Sequence, residues 1–350
     1  MGIVTTPVQR DRPAVAAVPA QPAPRADALE TLIELVGADL PATNRAIVER
    51  MHSPVALIPQ LAAHIVAAGG KRLRPLLTLS AARLCGYQGE RHVHLAACVE
   101  FIHTATLLHD DVVDESLLRR GMSSANSVFG NKASVLVGDF LFARAFQLMV
   151  ADGSLKVLEI LSQAAATIAE GEVLQLVTQH DLSTREDQYL EVIRGKTAAL
   201  FTAACQVGAV VAARPADEEQ ALADYGSHLG MAFQLVDDAL DYAADQRLLG
   251  KTVGDDFREG KVTLPVLAAY HAGSAEDRAF WQRTIERSEQ TEADLEHALR
   301  LMDASNAIRI TLDHAARFAA AAKSALAPFP PSALRAALMD VADYTVSRVN

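Results

Sequence analysis

Two acidic motifs are the residues best suited to chemistry in this sequence, because both lie in otherwise apolar stretches. They are "LLHDDVVDE" and "FQLVDDALDY", and both contain the DDxxD spacing. The six aspartates are Asp110, Asp111, Asp114, Asp237, Asp238 and Asp241. In a helix, at about 100° per residue, the first and last aspartates of each motif lie on one face. Carboxylates packed this closely repel one another, so each motif needs cations to neutralise it.

A DDxxD motif that occurs once on a helix is more often a solvated face than a ligand site. Two such motifs on apolar helices favour a metal site. Hard carboxylate oxygens without a neighbouring His or Cys arrangement favour Mg²⁺ over Zn²⁺. Because Mg²⁺ keeps several waters and takes one or two protein carboxylates, substrate phosphates would supply the remaining ligands. The motifs therefore predict a Mg²⁺ site for a phosphorylated ligand.

Basic residues occur at two positions where such a ligand would need them. "GGKRLRP" places Lys71, Arg72 and Arg74 directly after a Gly-Gly helix terminator. "LLRRG" places Arg119 and Arg120 just beyond the first acidic motif. Arg suits bidentate phosphate contacts and Lys acts as a point charge, so the mixture fits a diphosphate. Either group alone would be ordinary at a helix end, where cations complement the macrodipole; beside the acidic motifs, both are predicted to be anion-binding loops.

Further cations follow each other along the second half of the chain. "IRGKTAAL" contains Lys196 and Thr197, and "LLGKTVGDDFREGKVTLP" contains Lys251 and Lys261. Neither "GKT" is a P-loop, because the upstream glycine and the preceding strand are missing. The lysines remain candidate phosphate ligands. His103 is seven positions before Asp110, on the same helix face, and is a candidate hydrogen-bond donor to a second anion. A histidine at such a position would more often belong to the core.

Composition limits the class of protein. The chain has 350 residues, of which 50% are hydrophobic, and its net charge of −11 argues against general nucleic-acid binding. Cys85, Cys98 and Cys205 are widely spaced and suggest buried thiols in a reducing compartment. The N-terminus does not resemble a signal peptide, and no apolar run reaches the roughly 18 residues of a membrane span. We expect a cytoplasmic protein with no integral membrane span and no nucleic-acid partner.

Residues 1–26 are rich in Pro and Ala and are predicted to be a disordered leader. Beyond them, apolar residues recur at three- and four-residue spacing, which predicts one all-α domain over residues 27–350. Predicted helices cover 27–38, 43–52, 55–68, 73–85, 90–115, 132–151, 153–179, 185–211, 215–244, 261–272, 275–288, 291–303, 305–327 and 331–348.

These motifs, in this order, resemble the trans-isoprenyl diphosphate synthases, and within them the long-chain polyprenyl diphosphate synthases such as those for octaprenyl and decaprenyl products. The resemblance is carried by "GGKRLRP", "LLHDDVVDESLLRRG", "GDFLFARAF", "GKTAALF", "FQLVDDALDY" and "GKTVGDDFREGKVTLP", and covers nearly everything after the leader. It implies the isoprenoid synthase fold, an all-α bundle around a central cavity with the two aspartate motifs facing each other. It also implies a homodimer.

The resemblance implies roles for the matching residues. Asp110 and Asp114 would hold two Mg²⁺ ions and Asp237 a third, with the catalytic set completed by Asp111, Asp238 and Lys196, and with Asp241 in support. The allylic diphosphate would be bound by Arg119, Lys196, Lys251 and Lys261. Isopentenyl diphosphate would be bound by Lys71, Arg74, His103 and Arg120. Thr197 and Gln234 would place dipoles near the reacting carbons.

Product length is expected to depend on the residues before the first aspartate. Short-chain relatives often have an aromatic residue four or five positions earlier, where this chain has Thr106 and Ala105. Both are small, so we expect a product of about eight to ten isoprene units, serving as a quinone side chain and partitioning into membranes. A shorter farnesyl or geranylgeranyl product is the alternative. Ala105→Phe is expected to shorten the product to about fifteen or twenty carbons, since one helical turn of ~5.4 Å matches one unit.

Two other classes of protein remain as alternatives. A class I terpene cyclase shares the fold but usually carries a different second metal motif, which "VDDALDY" argues against. A non-catalytic subunit of a heteromeric synthase would usually have lost one aspartate or arginine cluster. Both clusters are present here.

Overall fold

The computed structural model describes residues 28–67, 69–119, 121–243 and 253–348. Within these ranges the chain is helical apart from one two-stranded hairpin, which confirms the all-α prediction. The predicted leader lies outside the described residues, so its disorder and the boundary of the domain stay predictions.

The first half of the chain contains eight helices and the hairpin among its described residues. They are α1 (Ala28–Val36), α2 (Asp39–Arg50), α3 (Leu57–Ala67), α4 (Leu73–Leu84), α5 (Arg91–Val113), β1 (Leu118–Arg119), β2 (Met122–Ser123), α6 (Ala125–Phe129), α7 (Asn131–Asp152) and α8 (Leu155–Thr178). The strands pair antiparallel, with Leu118 opposite Ser123.

The second half continues the helical pattern and includes two π-helical turns. Its elements are α9 (Glu186–Ile193), a first π-turn (Arg194–Ala198), α10 (Ala199–Val211), α11 (Ala216–Ala243), α12 (Asp255–Arg258), α13 (Leu264–Ala272), α14 (Ala275–Trp281), a second π-turn (Gln282–Glu286), α15 (Asp294–Ala304), α16 (Ala307–Ala325) and α17 (Ala333–Ser347).

The long helices that carry the motifs lie inside the bundle. Helix α5 packs against α4 and α7, and α11 packs against α10 and α16. Both are apolar around most of their circumference, as expected for helices surrounded by protein. The burial of such helices stabilises the fold by about 25 cal/mol per Å² of apolar surface. This burial holds the two aspartate motifs in place.

Two local predictions need correction. The predicted helix over 185–211 is interrupted by the first π-turn, which local residue preference does not reveal and which often marks a functional position. The segment after the first aspartate motif forms the hairpin and α6, because α5 ends at Val113. Asn126 stabilises this end: its Nδ2 donates to the main-chain oxygens of Asp111, at 2.9 Å, and Ser116, at 3.1 Å.

Helix α7 is long and apolar enough, by length and composition, to cross a membrane, with a mean hydropathy of 1.5. Asp139 and Arg144 interrupt its sequence, so it contains no unbroken apolar run of membrane-spanning length. One face of α7 packs along α5 through Val137, Leu141 and Ala145, as in the core helix of a globular bundle. That the chain has no integral span stays a prediction.

Candidate active site

A cavity of about 430 Å³ lies between α5, α8, α9 and α11, and the two aspartate motifs face each other across it. Helix α5 contributes His103, Thr106, Leu107 and Asp110, and Asp114 follows directly after its last residue. Helix α11 contributes Phe233, Gln234, Asp237, Asp238, Leu240 and Asp241. Residues 127 positions apart in the sequence are thus brought into one site, as the family resemblance implies.

The middle aspartate of each motif is turned toward the protein. Asp111 is buried and accepts hydrogen bonds from the guanidinium of Arg119, including one of 2.9 Å from Nε. Asp238 is buried and accepts from the Tyr189 hydroxyl and, at 2.7 Å, from Nε2 of Gln234. Both residues therefore act on neighbouring side chains, whereas the first aspartate of each motif is open to the cavity.

Lys196 lies on the first π-turn between two carboxylates. Its Nζ donates to Oε2 of Glu172 at 2.6 Å and is 3.9 Å from Oδ2 of Asp110. This contact between α8 and the π-turn requires glycine, because a Cβ on Gly171 would lie 2.4 Å from the backbone nitrogen of Lys196. Gly195 faces Gly171 across the same contact, and a Cβ added to Gly195 would lie 3.1 Å from the Cα of Gly171.

Lys261 occupies an equivalent place beside Asp114. Its Nζ donates to Oδ2 of Asp114 at 3.1 Å and forms a second ion pair with Glu259. The loop that carries Lys261 is fixed by Asp241, whose Oδ2 accepts the backbone N–H of Asp256 at 3.1 Å. Asp241 thus supports the site by holding this loop.

A second cationic group lies at the α4 end of the site. An N–H of Arg74 donates to Nε2 of His103 at 3.1 Å, and the guanidinium stacks over the Phe201 ring. Lys71 is exposed and does not line the cavity: its Nζ donates to the Tyr344 hydroxyl at 2.7 Å. Arg120 and Lys251, both predicted substrate ligands, lie outside the described residues.

Burial and charge change the proton affinity of the carboxylates. Burial raises the pKa of Asp110, and Lys196 opposes this effect. Burial, with repulsion from Asp110, raises the pKa of Glu172 to about 7. Burial lowers the pKa of Lys261, but Asp256, Asp114 and Glu259 together raise it above its usual value, so the lysine is charged. The first motif is therefore compensated by fixed positive charge.

The second motif is compensated differently. Burial, with repulsion from Asp256, raises the pKa of Asp238 to about 7, while the hydrogen bonds from Tyr189 and Gln234 oppose the shift. Arg348, near Asp237, has its guanidinium 4.4 Å from the Phe233 ring, and burial lowers its pKa. Neutral donors therefore replace lysines around Asp238.

The donor set fits Mg²⁺ that shares its ligands with a substrate. Asp110, Asp114 and Asp237 present carboxylate oxygens to one cavity. Among the described residues, no three His, Cys, Asp or Glu side chains are close enough to hold a metal by themselves. One or two carboxylates for each ion, with water and phosphate oxygens as further ligands, is the coordination that Mg²⁺ prefers.

Sequence reasoning missed three residues that shape this site: Glu172, Tyr189 and Glu259. Glu172 has a weak signal, an acidic residue on a long and mostly apolar helix, in "EGEVLQL". Glu259 lies between α12 and Lys261, in a loop whose geometry is set by α12. Tyr189 has no sequence signal, because only its contact with Asp238 distinguishes it from a core aromatic residue.

The two predicted gate residues face different ways. Thr106 lines the cavity, whereas Ala105 is fully buried in the apolar cluster between α5 and α7. The geometry therefore places Thr106, and not Ala105, where a side chain would meet the ligand.

The polyprenyl synthetase family model matches residues 55–302 of this chain. Octaprenyl diphosphate synthase of Escherichia coli (strain K12) is 50% identical over 320 residues, which cover 91% of this chain and 99% of that protein.

Two solved structures share the fold and about half of the sequence. A decaprenyl diphosphate synthase from Rhodobacter capsulatus has a TM-score of 0.89 and 55% identity, covering 92% of this chain and 99% of that one. A polyprenyl synthase from Caulobacter crescentus CB15, solved with calcium and isoprenyl diphosphate, has a TM-score of 0.91 and 54% identity, covering 95% and 100%. This chain accordingly belongs to the polyprenyl synthetase family and is a trans-polyprenyl diphosphate synthase with the all-α isoprenoid synthase fold.

Proposed function

We propose that this enzyme condenses isopentenyl diphosphate head-to-tail onto an allylic diphosphate, with Mg²⁺, to make an all-trans product of about eight to ten isoprene units. The observation that carries the proposal is the pair of aspartate motifs facing each other across one cavity, with Lys196 and Lys261 beside the first. The octaprenyl and decaprenyl products named for the relatives support the length. Use of the product as a quinone side chain is part of the same proposal.

The allylic diphosphate is proposed to bind between the two motifs. Its negative charge would draw Lys196 from Glu172 and Lys261 from Glu259, and Arg119 would contact it from β1. Mg²⁺ held by Asp110, Asp114 and Asp237 would neutralise the diphosphate as it leaves. The calcium and isoprenyl diphosphate in the Caulobacter crescentus structure support a divalent cation at this site.

Isopentenyl diphosphate is proposed to bind beside Arg74 and His103, at the α4 end of the cavity. The Arg74 guanidinium is held by His103 and by the Phe201 ring, so it is oriented before the substrate arrives. Breaking the allylic C–O bond leaves a carbocation, which the double bond of the second substrate attacks. A proton is then lost, with the departed diphosphate as the proposed acceptor.

The direct test is incubation of the purified protein with farnesyl diphosphate, labelled isopentenyl diphosphate and Mg²⁺, followed by chromatography of the dephosphorylated products. We expect an EDTA-sensitive ladder that ends near forty to fifty carbons. A ladder that stops at about fifteen or twenty carbons would favour the shorter-chain alternative. No incorporation by folded protein would indicate a subunit that requires a partner chain.

The position of the length gate is tested by a pair of variants. Eight extended units reach about 40 Å, at roughly one helical turn for each unit, so the tail must pass the wall formed by Thr106 and Leu107. Thr106→Phe adds bulk on the cavity side and is expected to shorten the product. Ala105→Phe adds bulk to a packed core, at a cost of about 1–3 kcal/mol in the free energy of unfolding. A wild-type product from Thr106→Phe would contradict the gate.

A homodimer is proposed to form through α7 and α8. The outer faces of these helices expose Leu136, Val150, Val173 and Val177, each with 60% or more of its surface accessible. Exposed apolar surface of this kind favours association. Val173→Asp with Val177→Asp is expected to give a monomer in light scattering, whereas Val48→Asp on α2 should leave the mass unchanged. A dimeric double variant would place the interface elsewhere.

A cytoplasmic location is proposed because the three cysteines are free thiols.

A further inference from the structure

Four side chains form a continuous hydrogen-bond chain at the edge of the cavity. Tyr189 on α9, which is 3% exposed, donates its hydroxyl proton to Oδ2 of Asp238, which is 4% exposed. Gln234, one turn earlier on α11, donates from Nε2 to Oδ1 of the same carboxylate at 2.7 Å. Thr197 on the first π-turn donates from Oγ1 to Oε1 of Gln234 at 2.7 Å. These hydrogen bonds link α11 to α9 and to the π-turn that directly follows α9.

These contacts determine the orientation of the Gln234 carboxamide. An aspartate carboxylate accepts hydrogen bonds, so the amide must turn its NH₂ group toward Asp238 and its oxygen toward Thr197. A reversed amide would put two oxygens face to face, which burial makes costly. The Thr197 proton is used in the same chain, so lone pairs of its oxygen are available on the cavity side.

The hydrogen-bond chain also gives different surroundings to the two neighbouring aspartates of the second motif, Asp237 and Asp238. Both oxygens of Asp238 already accept hydrogen bonds from the protein, whereas Asp237 lies open to the cavity. Asp238 is thus occupied in holding Gln234, and Tyr189 in holding Asp238. We propose that Tyr189 and Asp238 are positioning residues which hold the carboxamide oxygen of Gln234 toward the charge that develops on the allylic carbon.

The physical effect is electrostatic preorganisation. The negative ends of the Gln234 and Thr197 dipoles are set before the substrate ionises, so no reorientation is needed when the carbocation forms. Tyr189 also lines the cavity, but its hydroxyl proton is donated to Asp238, so in this role Tyr189 acts on the ligand through two hydrogen bonds. The inference rests on the proposed function, because it needs an allylic carbocation in this cavity.

The test is a double-mutant cycle between Tyr189→Phe and Gln234→Leu. Tyr189→Phe removes only the hydroxyl and keeps the ring in the core. We expect its kcat to fall about ten-fold, with the KM of each substrate changed less than about two-fold. In the Gln234→Leu background, the same change is expected to cost nothing further in kcat. Thr197→Val, at the other end of the chain, is expected to show the same coupling with Tyr189→Phe.

Tyr225→Phe is the matched control. Tyr225 is also fully buried, and its hydroxyl makes one hydrogen bond of 2.8 Å, but to the backbone oxygen of Leu338 on α17. This variant should lower the melting temperature without changing kcat. An unchanged kcat in Tyr189→Phe, a change confined to KM, or an equal loss with and without Gln234 would each overturn the positioning role. Wild-type protein that makes no prenyl diphosphate would instead refute the proposed function itself.

Discussion

The two aspartate motifs have the same spacing but neutralise their charge in different ways. Around the first motif, Arg119, Lys196 and Lys261 form ion pairs with its aspartates or approach them closely. Around the second, Tyr189 and Gln234 are neutral donors to its buried aspartate. The same spacing thus occurs once with cations beside several of its aspartates and once with neutral donors on its buried aspartate, where Arg348 lies near Asp237.

The difference has a consequence for ligand binding. Lys196 and Lys261, beside the first motif, form ion pairs with Glu172 and Glu259. A diphosphate can bind these lysines in place of the glutamates, and Mg²⁺ that binds with it would neutralise the aspartates. At the second motif, Asp237 lines the cavity, whereas both carboxylate oxygens of Asp238 accept hydrogen bonds from Tyr189 and Gln234. Under the proposed function, the lysines beside the first motif would bind the substrate, and the second motif would mainly provide a metal ligand and a fixed dipole.

The largest effect is expected from the first aspartate of either motif. Asp110→Asn and Asp237→Asn each remove a carboxylate proposed to bind Mg²⁺, so each should lower kcat about 10³-fold in the incorporation of labelled isopentenyl diphosphate. Asp313→Asn, an exposed aspartate on α16, is the matched control and should retain full activity. Substantial activity in only one of the two variants would show that the motifs do not share the metal-binding role.

A smaller effect is expected from removal of one cation at the first motif. Lys196→Met leaves Asp110 and Glu172 without their shared partner and removes the proposed contact to the diphosphate. Its kcat/KM for the allylic substrate should fall about 10²-fold. Lys323→Met serves as the control, because Lys323 pairs with Asp343 outside the cavity. Wild-type kcat/KM in Lys196→Met would mean that the lysine only compensates charge in the protein.

Asp241, which holds the loop that carries Lys261, should contribute less to activity than the proposed metal ligands. Asp241→Ala removes the acceptor for the backbone N–H of Asp256 but leaves Asp237 in place. Loss of a cap of this kind costs about 0.5–2 kcal/mol, so kcat/KM should fall by roughly ten-fold or less. A loss as large as that of Asp237→Asn would instead assign Asp241 a direct part in metal binding.

The smallest effect is a pH dependence of stability in the protein without substrate. Glu172 and Asp238 both have a pKa raised to about 7 by burial, above their usual values of 4.5 and 3.8. Between the unfolded and the folded pKa values, the folded protein binds more protons than the unfolded chain. The two carboxyl groups therefore add to the free energy of unfolding at low pH, and this contribution is lost as pH rises through about 7.

Glu172→Gln removes the contribution of one of these groups. Its melting temperature should exceed that of the wild type by a few degrees at pH 8 and should approach it near pH 5. Differential scanning calorimetry across this range measures the effect. Equal melting temperatures at pH 8 would show that Lys196 fully compensates Glu172.

Much of this site follows from local rules. Helical periodicity predicts that His103, Asp110 and Asp114 share one face, and all three line the cavity in the structure. The same periodicity does not reveal the π-turn at Lys196, because it arises where α8 and the turn meet at Gly171 and Gly195. Nor does it separate Ala105 from Thr106, since which side of α5 faces the cavity depends on the packing of α7.

The sequence by itself determined the helical class, the two aspartate motifs and most of the cations, because residue type and helical spacing are local properties. Only the tertiary structure decided the partners. Tyr189 meets Asp238 across 49 residues, and Lys261 meets Asp114 across 147. Such contacts depend on how whole helices pack against one another, and that packing sets which carboxylate faces the cavity and which faces the protein.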